Sequence, residues 1–276
     1  VPMFHVNAWS MPYGAAVVGA KLVFPGPKMG DGEMLQRLIE GEGVTVTAGV
    51  PTVWLALLTH LDRSGTGVPS LKRVIVGGSA CPRAVMEAFE QKHGVHVHHA
   101  WGMTEMSPIG TFNSPSADFD TLSPEEQWAQ RLRVGRPVYG VEVKIVDATG
   151  AELPWDGVSF GALKVRGPWI CSEYFRIGKG DAHDAGGWFE TGDVATIDRR
   201  GYVAITDRTK DVIKSGGEWI SSIDLENTAV AHPAVAEAAV IGAYHPRWAE
   251  RPLLCVVLHP GAQLTREQML AWFDGK

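Results

Sequence analysis

The sequence predicts an α/β fold in three textures: a parallel α/β sheet subdomain over 1–133, a small antiparallel β subdomain over 134–206, and the start of a small α+β C-terminal domain over 211–276, with 207–210 as the linker. Three observations carry this. Up to about residue 105, short β-rich apolar runs alternate with runs of helical period. From about 134, strand runs alternate with tight turn signals. Past Lys210 a capped helix follows one short strand and precedes two longer ones. No internal repeat or low-complexity tract interrupts the pattern.

In order, "KLVFPG" (21–26) reads as a strand and "EMLQRLIEGEG" (33–43) as a helix closed by glycine. "VTVTAGV" (44–50) is a strand, after which Pro51 opens a helix from a first-turn position that needs no N–H. "KRVIVGG" (72–78), "RAVMEAFEQKHG" (83–94) and "VHVHHAWG" (95–102) continue as strand, helix and strand. "VEVKIVDATGAEL" (141–153), "GALKVRGP" (161–168) and "VATIDRRGYVAITDR" (194–208) are strand runs turning at Thr149-Gly150 and Arg200-Gly201. Ser221 and Asp224 frame a helix start, strands follow in "AEAAVIGAY" (236–244) and "LLCVVLHP" (253–260), and Thr265 with Gln268 caps a last helix.

Composition bounds the function. The chain of 276 residues is 45% hydrophobic and 20% charged, and its net charge of −6 offers no basic field for nucleic acid or an anionic membrane. Cys81, Cys171 and Cys255 lie far apart without a CxxC pair, as expected of reduced thiols in the cytoplasm. The longest apolar run, Ala15 to Phe24, contains Lys21 and is too short to span a bilayer. The chain opens on Val1, and its last helix pattern ends at the final residues, so it reads as a piece of a longer protein.

Several stretches carry chemistry. In "AWGMTEMSP" (100–108), Gly102 would let backbone approach a ligand, Thr104 offers a hydroxyl for phosphate, and Glu105 offers the hard oxygen that Mg²⁺ prefers; a solvated polar loop is the plainer alternative. In "WFETGD" (188–193), Asp193 could accept from a ribose diol, or be an ordinary turn aspartate. "VIVGGSACP" (74–82) ends a buried strand at a glycine turn, where parallel sheets bind ligands. The alternation in "HVHH" (96–99) puts His96 and His98 on one face and His99 on the other, without a metal-ligand partner at usable spacing. Ser79 and Cys81 lack a nucleophile elbow. In "TDRTKDVIKSGGEWIS" (206–221), Lys210 and Lys214 would share one side of an extended run, ahead of Gly216, Gly217 and Trp219.

In order, "FHVNAW", "GGSA", "WGMTE", "GALKVRG", "WFETGD" and "DRTKDVIKSGGEWISSIDLE" resemble the adenylate-forming superfamily of acyl-CoA synthetases, luciferases and adenylation domains, over nearly the whole chain. "HVNAW" with "SGGEWISSIDLE" looks most like the fatty acyl-CoA synthetase branch and its methylmercaptopropionate-activating relatives. The resemblance implies acyl-adenylate formation from ATP and a carboxylate, with Mg²⁺, then transfer to CoA. Carried over, Thr104 would contact phosphate, Glu105 the Mg²⁺, and Asp193 with Arg208 the ribose; Gly78, Ser79, His99, Ala100 and Trp101 would wall the adenine. Trp101 stands where the family usually has Tyr. His5, Val6 and Trp9 would line the acyl entrance. Residues 207–210 would be a hinge, with Lys210 able to touch ribose or phosphate; Gly216 and Gly217 would leave room for the pantetheine arm of CoA, and Lys214 and Trp219 would present charge and a flat surface to the nucleotide or the arm. The family's phosphate loop and its C-terminal catalytic lysine segment are not in these residues. The implied partners are the carboxylate, ATP and CoA, with a homodimer left open. An amino-acid adenylation domain and an inert nucleotide-binding fragment are the competing readings; a pocket carboxylate for a substrate ammonium would favour the former.

Overall fold

A computed structural model describes residues 1–177, 182–209, 211–215 and 218–274, with backbone alone at 218–219. The chain divides into two compact units: Val1–Val143 with Val165–Phe189 and Ile197–Ala204, and Lys144–Lys164 with Glu190–Thr196 and Ile205–Lys276.

The first unit is built on a five-stranded sheet whose order follows the chain: Val46–Gly49, Arg73–Val76, His96–Gly102, Ile109–Phe112 and Arg136–Pro137. The first three strands run parallel, as the β–α alternation requires, and the last two are antiparallel additions. The helix Gly32–Glu42 starts at Asp31, whose carboxylate accepts from Met34 N, a cap of about 1 kcal/mol. Helices Pro51–Ser64 and Arg83–His93 follow the first two strands, and each ends on a left-handed glycine, Gly65 and Gly94. Their apolar faces and the strands enclose a core that includes Trp54, Leu57, Val74, Met86 and Phe89. Trp54 Nε1 donates to the Gly49 carbonyl at 3.1 Å, and a Cβ on Gly49 would come within 3.0 Å of the indole.

Two expectations for this unit change. "KLVFPG" forms no strand: Leu22 and Phe24 are 41% and 66% exposed, and among the described residues no strand lies beside the run to give it a ladder. The helices Met11–Val18 and Pro124–Leu132 were not anticipated. The second was legible, because Ser123 and Glu126 form a full capping box before it.

Glu142–Val146, Phe160–Arg166, Phe189–Ile197 and Val203–Arg208 form a four-stranded sheet in chain order. Its turns are made by aspartates: Asp147 Oδ1 accepts from Thr149 N and Ala151 N, and Asp198 Oδ1 accepts from Arg200 N and Tyr202 N.

In the second unit, a four-stranded sheet is ordered Glu218–Ile220, Ile213–Ser215, Ala249–Leu258, Val235–His245. Helices Ser222–Val230 and Arg266–Phe273 pack with it through Ala229, Val235 and Met269. The caps fall where expected: Ser221 Oγ accepts from Asp224 N, and Thr265 with Gln268 forms a capping box. Between the strands ending at Arg208 and starting at Ile213 the backbone turns, with Asp211 N and Val212 N both donating to Arg208 O. Lys210, Gly216 and Gly217 lie outside the described residues, as does the side chain of Trp219.

Candidate active site

In the first unit the backbone from Val6 to Ser10 runs through the left-handed region, with φ between 41° and 60°. Each such L-residue costs about 1–2 kcal/mol. This winding puts His5, Val6 and Trp9 into the wall of a cavity of about 200 Å³. The opposite wall comes from the strand ends, through Ile75, Gly77, Gly78, Ala100 and Trp101, and Thr104 joins them. The approach of Trp9 depends on Gly77: a Cβ there would lie 3.1 Å from the indole Cη2 and 3.1 Å from the Ala100 carbonyl. Met11, Met103, Pro108, Ile109 and Phe112 complete a mostly apolar lining, and no carboxylate contributes to it among the described residues. Ile109 and Phe112 had no motif to announce them; they arrive because the strand Ile109–Phe112 pairs back onto His96–Gly102.

Gly102 also lines the cavity, and its missing side chain serves a second contact as well. A Cβ there would fall 1.9 Å from the Pro108 carbonyl, so the close approach is made by the protein's own backbone at an irregularity in strand register. His99 and Ser79 do not line the cavity. The His99 ring is 4% exposed and hydrogen-bonds the Leu132 carbonyl at 3.3 Å. Burial pulls its pKa down, against hydrogen bonds to the carbonyls of Leu132 and Ser79 that raise it. His96 and His98 share a face, with ring centroids 4.7 Å apart, and no group of three or more potential metal ligands exists among the described residues.

Thr104–Met106 forms a single 3₁₀ turn that leaves Thr104 exposed and Glu105 half-buried. Tyr174 Oη donates to Glu105 Oε1 at 2.8 Å, and Cys171 N donates to the Glu105 carbonyl at 2.8 Å. Glu105 Oε2 has no hydrogen-bond partner among the described residues. One hard carboxylate oxygen, without an all-protein cage, fits a magnesium ion that keeps its waters and shares substrate phosphates.

In the second unit Asp193 is 5% exposed, and its Oδ1 pairs with Arg208 Nη1 at 2.9 Å. Thr191 shapes this corner: its hydroxyl donates to the Leu163 carbonyl and accepts from Asp193 N. Gly192 takes φ 75° and accepts from Thr209 N. Asp207, 1% exposed, accepts from Ser222 N at 2.6 Å, Ser222 Oγ at 3.2 Å and Arg208 N at 2.7 Å. Lys214 is exposed on its short strand, where its backbone N donates to Glu250 Oε2. The structure thus gathers His5, Val6, Trp9, Gly78, Ala100, Trp101 and Thr104 around one cavity, and pairs Asp193 with Arg208. Tyr174 escaped sequence reasoning, and Asp207 was read only as part of the hinge, since their contacts rest on partners 69 and 15 positions away.

Comparison with known proteins agrees with the motifs. A family model for AMP-binding enzymes matches residues 1–175, and one for the AMP-binding enzyme C-terminal domain matches residues 224–276. The chain is 54% identical to a 3-methylmercaptopropionyl-CoA ligase of Ruegeria lacuscaerulensis over 276 residues, covering 100% of this chain and 51% of that protein. It is 53% identical to a medium-chain-fatty-acid–CoA ligase of Ectopseudomonas oleovorans over 276 residues, covering 100% and 50%. It spans about half the length of these curated relatives. Among solved structures, o-succinylbenzoate CoA synthetase from Bacillus subtilis, in complex with ATP and a magnesium ion, matches with a TM-score of 0.79 at 26% identity, over 99% of this chain and 53% of that one. The matched family model over most of the chain, in the same order as the motifs that frame the cavity and the two acidic corners, shows that this chain belongs to the AMP-binding enzyme family of the adenylate-forming superfamily.

Proposed function

We propose that the protein carrying this chain is an ATP-dependent carboxylate–CoA ligase acting through an acyl-adenylate, with a medium- or long-chain fatty acid as substrate and 3-methylmercaptopropionate as the alternative. The observation that carries this is a carboxylate-free, mostly apolar cavity of about 200 Å³ with the Thr104 hydroxyl in its wall and Glu105 next in the chain. Such a cavity suits an acyl chain and offers nothing to a substrate ammonium, which weighs against an amino-acid adenylation domain. The names and high identity of the relatives support the same reading.

In this reading Val6 and Trp9 hold the acyl chain, with His5 at its entrance. Gly78, Ser79, Ala100 and Trp101 flank the adenine, with His99 bracing the strand from behind. Thr104 donates to phosphate, Glu105 holds the cation, and Asp193 with Arg208 takes the ribose. A bound magnesium ion would offset phosphate charge as pyrophosphate leaves. We place residues 1–133 and 134–206 in the adenylating part, a hinge at 207–210 and the thioester-forming domain over 211–276, with Lys210, Lys214, Gly217 and Trp219 serving the nucleotide and CoA.

The test is to supply the purified whole protein with ATP, Mg²⁺, CoA and a series of acids: 3-methylmercaptopropionate, octanoate and palmitate. Pyrophosphate release and the matching acyl-CoA by mass spectrometry are expected for at least one of them. Trp9→Ala should change the preference among the acids more than the KM for ATP. Absence of pyrophosphate with every acid would end this reading; a Trp9→Ala protein that merely melts earlier, with an unchanged acid profile, would make Trp9 a core residue.

A further inference from the structure

The Glu105 turn is braced by a segment far away in the chain. Ser107 Oγ donates to the Trp169 carbonyl at 3.0 Å, Cys171 N donates to the Glu105 carbonyl at 2.8 Å, and Tyr174 Oη donates to Glu105 Oε1 at 2.8 Å. The segment is itself anchored. Trp169 Nε1 donates to the Tyr139 carbonyl at 2.8 Å, and His183 Nε2 lies 2.7 Å from the Cys171 carbonyl, which can only accept, so Nε2 carries the proton. One of these bonds holds the backbone of the turn at the Glu105 carbonyl, and one holds the Ser107 side chain just after it. Among the described residues, the Tyr174 phenol alone grips the carboxylate.

We propose that Tyr174 is a positioning residue for the metal carboxylate: its phenol occupies Glu105 Oε1 and leaves Oε2, which no other described residue claims, for the cation. The inference rests on the reading of Glu105 as the magnesium ligand.

The chemistry favours this arrangement. A neutral phenol donates one hydrogen bond without cancelling the carboxylate charge, so the attraction for a cation survives. A lysine or arginine in its place would compete with the metal. An ordinary phenol, with a pKa of about 10, is already a neutral donor throughout the neutral range. Magnesium demands near-ideal octahedral geometry, so a carboxylate already held in one orientation loses less freedom on binding it. Partners that orient a metal ligand in this way typically matter by about 10–100-fold in metal affinity.

The test uses the whole protein carrying this chain. In Tyr174→Phe the Mg²⁺ concentration for half-maximal pyrophosphate release should rise about 10-fold, with the rate at saturating Mg²⁺ little changed. Mn²⁺ bound in the presence of ATP and absence of any acid, followed by electron paramagnetic resonance, should weaken by the same factor. Tyr174→His, which restores a ring donor, should recover part of the loss. Glu105→Gln should weaken Mn²⁺ binding further, and adding Tyr174→Phe to it should have no additional effect. A Tyr174→Phe protein with wild-type Mg²⁺ and Mn²⁺ curves, alongside a Glu105→Gln protein that loses them, overturns the positioning role alone. So does a Tyr174→Phe protein that loses rate at every Mg²⁺ concentration with unaltered Mn²⁺ binding. Unchanged Mn²⁺ binding in Glu105→Gln overturns the reading of Glu105 and this inference with it.

Discussion

Glu105 and Asp207 bring the same charge into opposite surroundings. Glu105 is half-buried and takes one side-chain hydrogen bond, from a neutral phenol. Asp207 is 1% exposed and takes three donors, two of them from the first residue of the helix Ser222–Val230, where the helix dipole also favours an anion. What differs is the number of donors and how far water is excluded. A carboxylate with its oxygens filled by fixed N–H and O–H groups is structural glue. One with an oxygen left over is available to something that comes and goes. Asp193 is buried like Asp207 and pairs with Arg208, an arginine that is itself half in water.

The comparison is broken most sharply by deleting each carboxylate in turn. Glu105→Ala in the whole protein should leave the fold intact and lower pyrophosphate release on the order of a thousand-fold, the scale of several kcal/mol of lost charge stabilisation. Asp207→Ala should do the reverse in kind. It leaves the Ser222 N–H buried without an acceptor, so it should cost about 2–3 kcal/mol in urea denaturation and speed hydrogen exchange along 222–230. If Asp207→Ala unfolds no more easily than wild type, the count of donors is a poor guide to which carboxylate is structural.

A third carboxylate sharpens the contrast through pH. Glu90 is bonded to Arg131 and lies 3.3 Å from His96 Nδ1. Burial would raise its pKa, but the hydrogen bond and charge of His96 together with those of Arg131 outweigh this and hold it below the usual carboxylate range. A depressed folded pKa means that the stabilisation is complete above the unfolded value, about 4.3, and is lost as pH falls through the folded one. Glu90→Gln should therefore be about 1 kcal/mol less stable than wild type at pH 7 and should converge on it as pH falls from about 4.3 through the lowered folded value. A gap that persists unchanged at acid pH would assign the effect of Glu90 to packing instead of charge.

The sequence announced what depends on neighbours in the chain and missed what depends on distant ones. The alternation of strands and helices, the glycine stops at Gly65 and Gly94, and the caps at Ser221 and Thr265 are local, and each is found in place. "KLVFPG" had the composition of a strand but lacked a partner, which no window of residues can reveal. Gly102 was recognised as a point of close approach, but the Pro108 carbonyl that also packs against it could not be read from the motif. Phe112, Tyr174 and Asp207 are ordinary residues by type. Their positions follow from strand pairing and from hydrogen bonds across 69 and 15 residues.

The left-handed winding from Val6 to Ser10 has a consequence for what this segment tolerates. In an ordinary helix alanine is the best residue, and glycine and asparagine are among the poor ones. In a turn of the opposite hand the order inverts, because the Cβ that favours alanine on one side of the Ramachandran map obstructs it on the other. Asn7 already has the tolerant side chain, while Val6, a branched residue, sits at φ 41° against its own preference. The mouth of the cavity is therefore a place where mirror-image rules of residue choice apply. Substitutions scored there by common helix scales would carry the wrong sign.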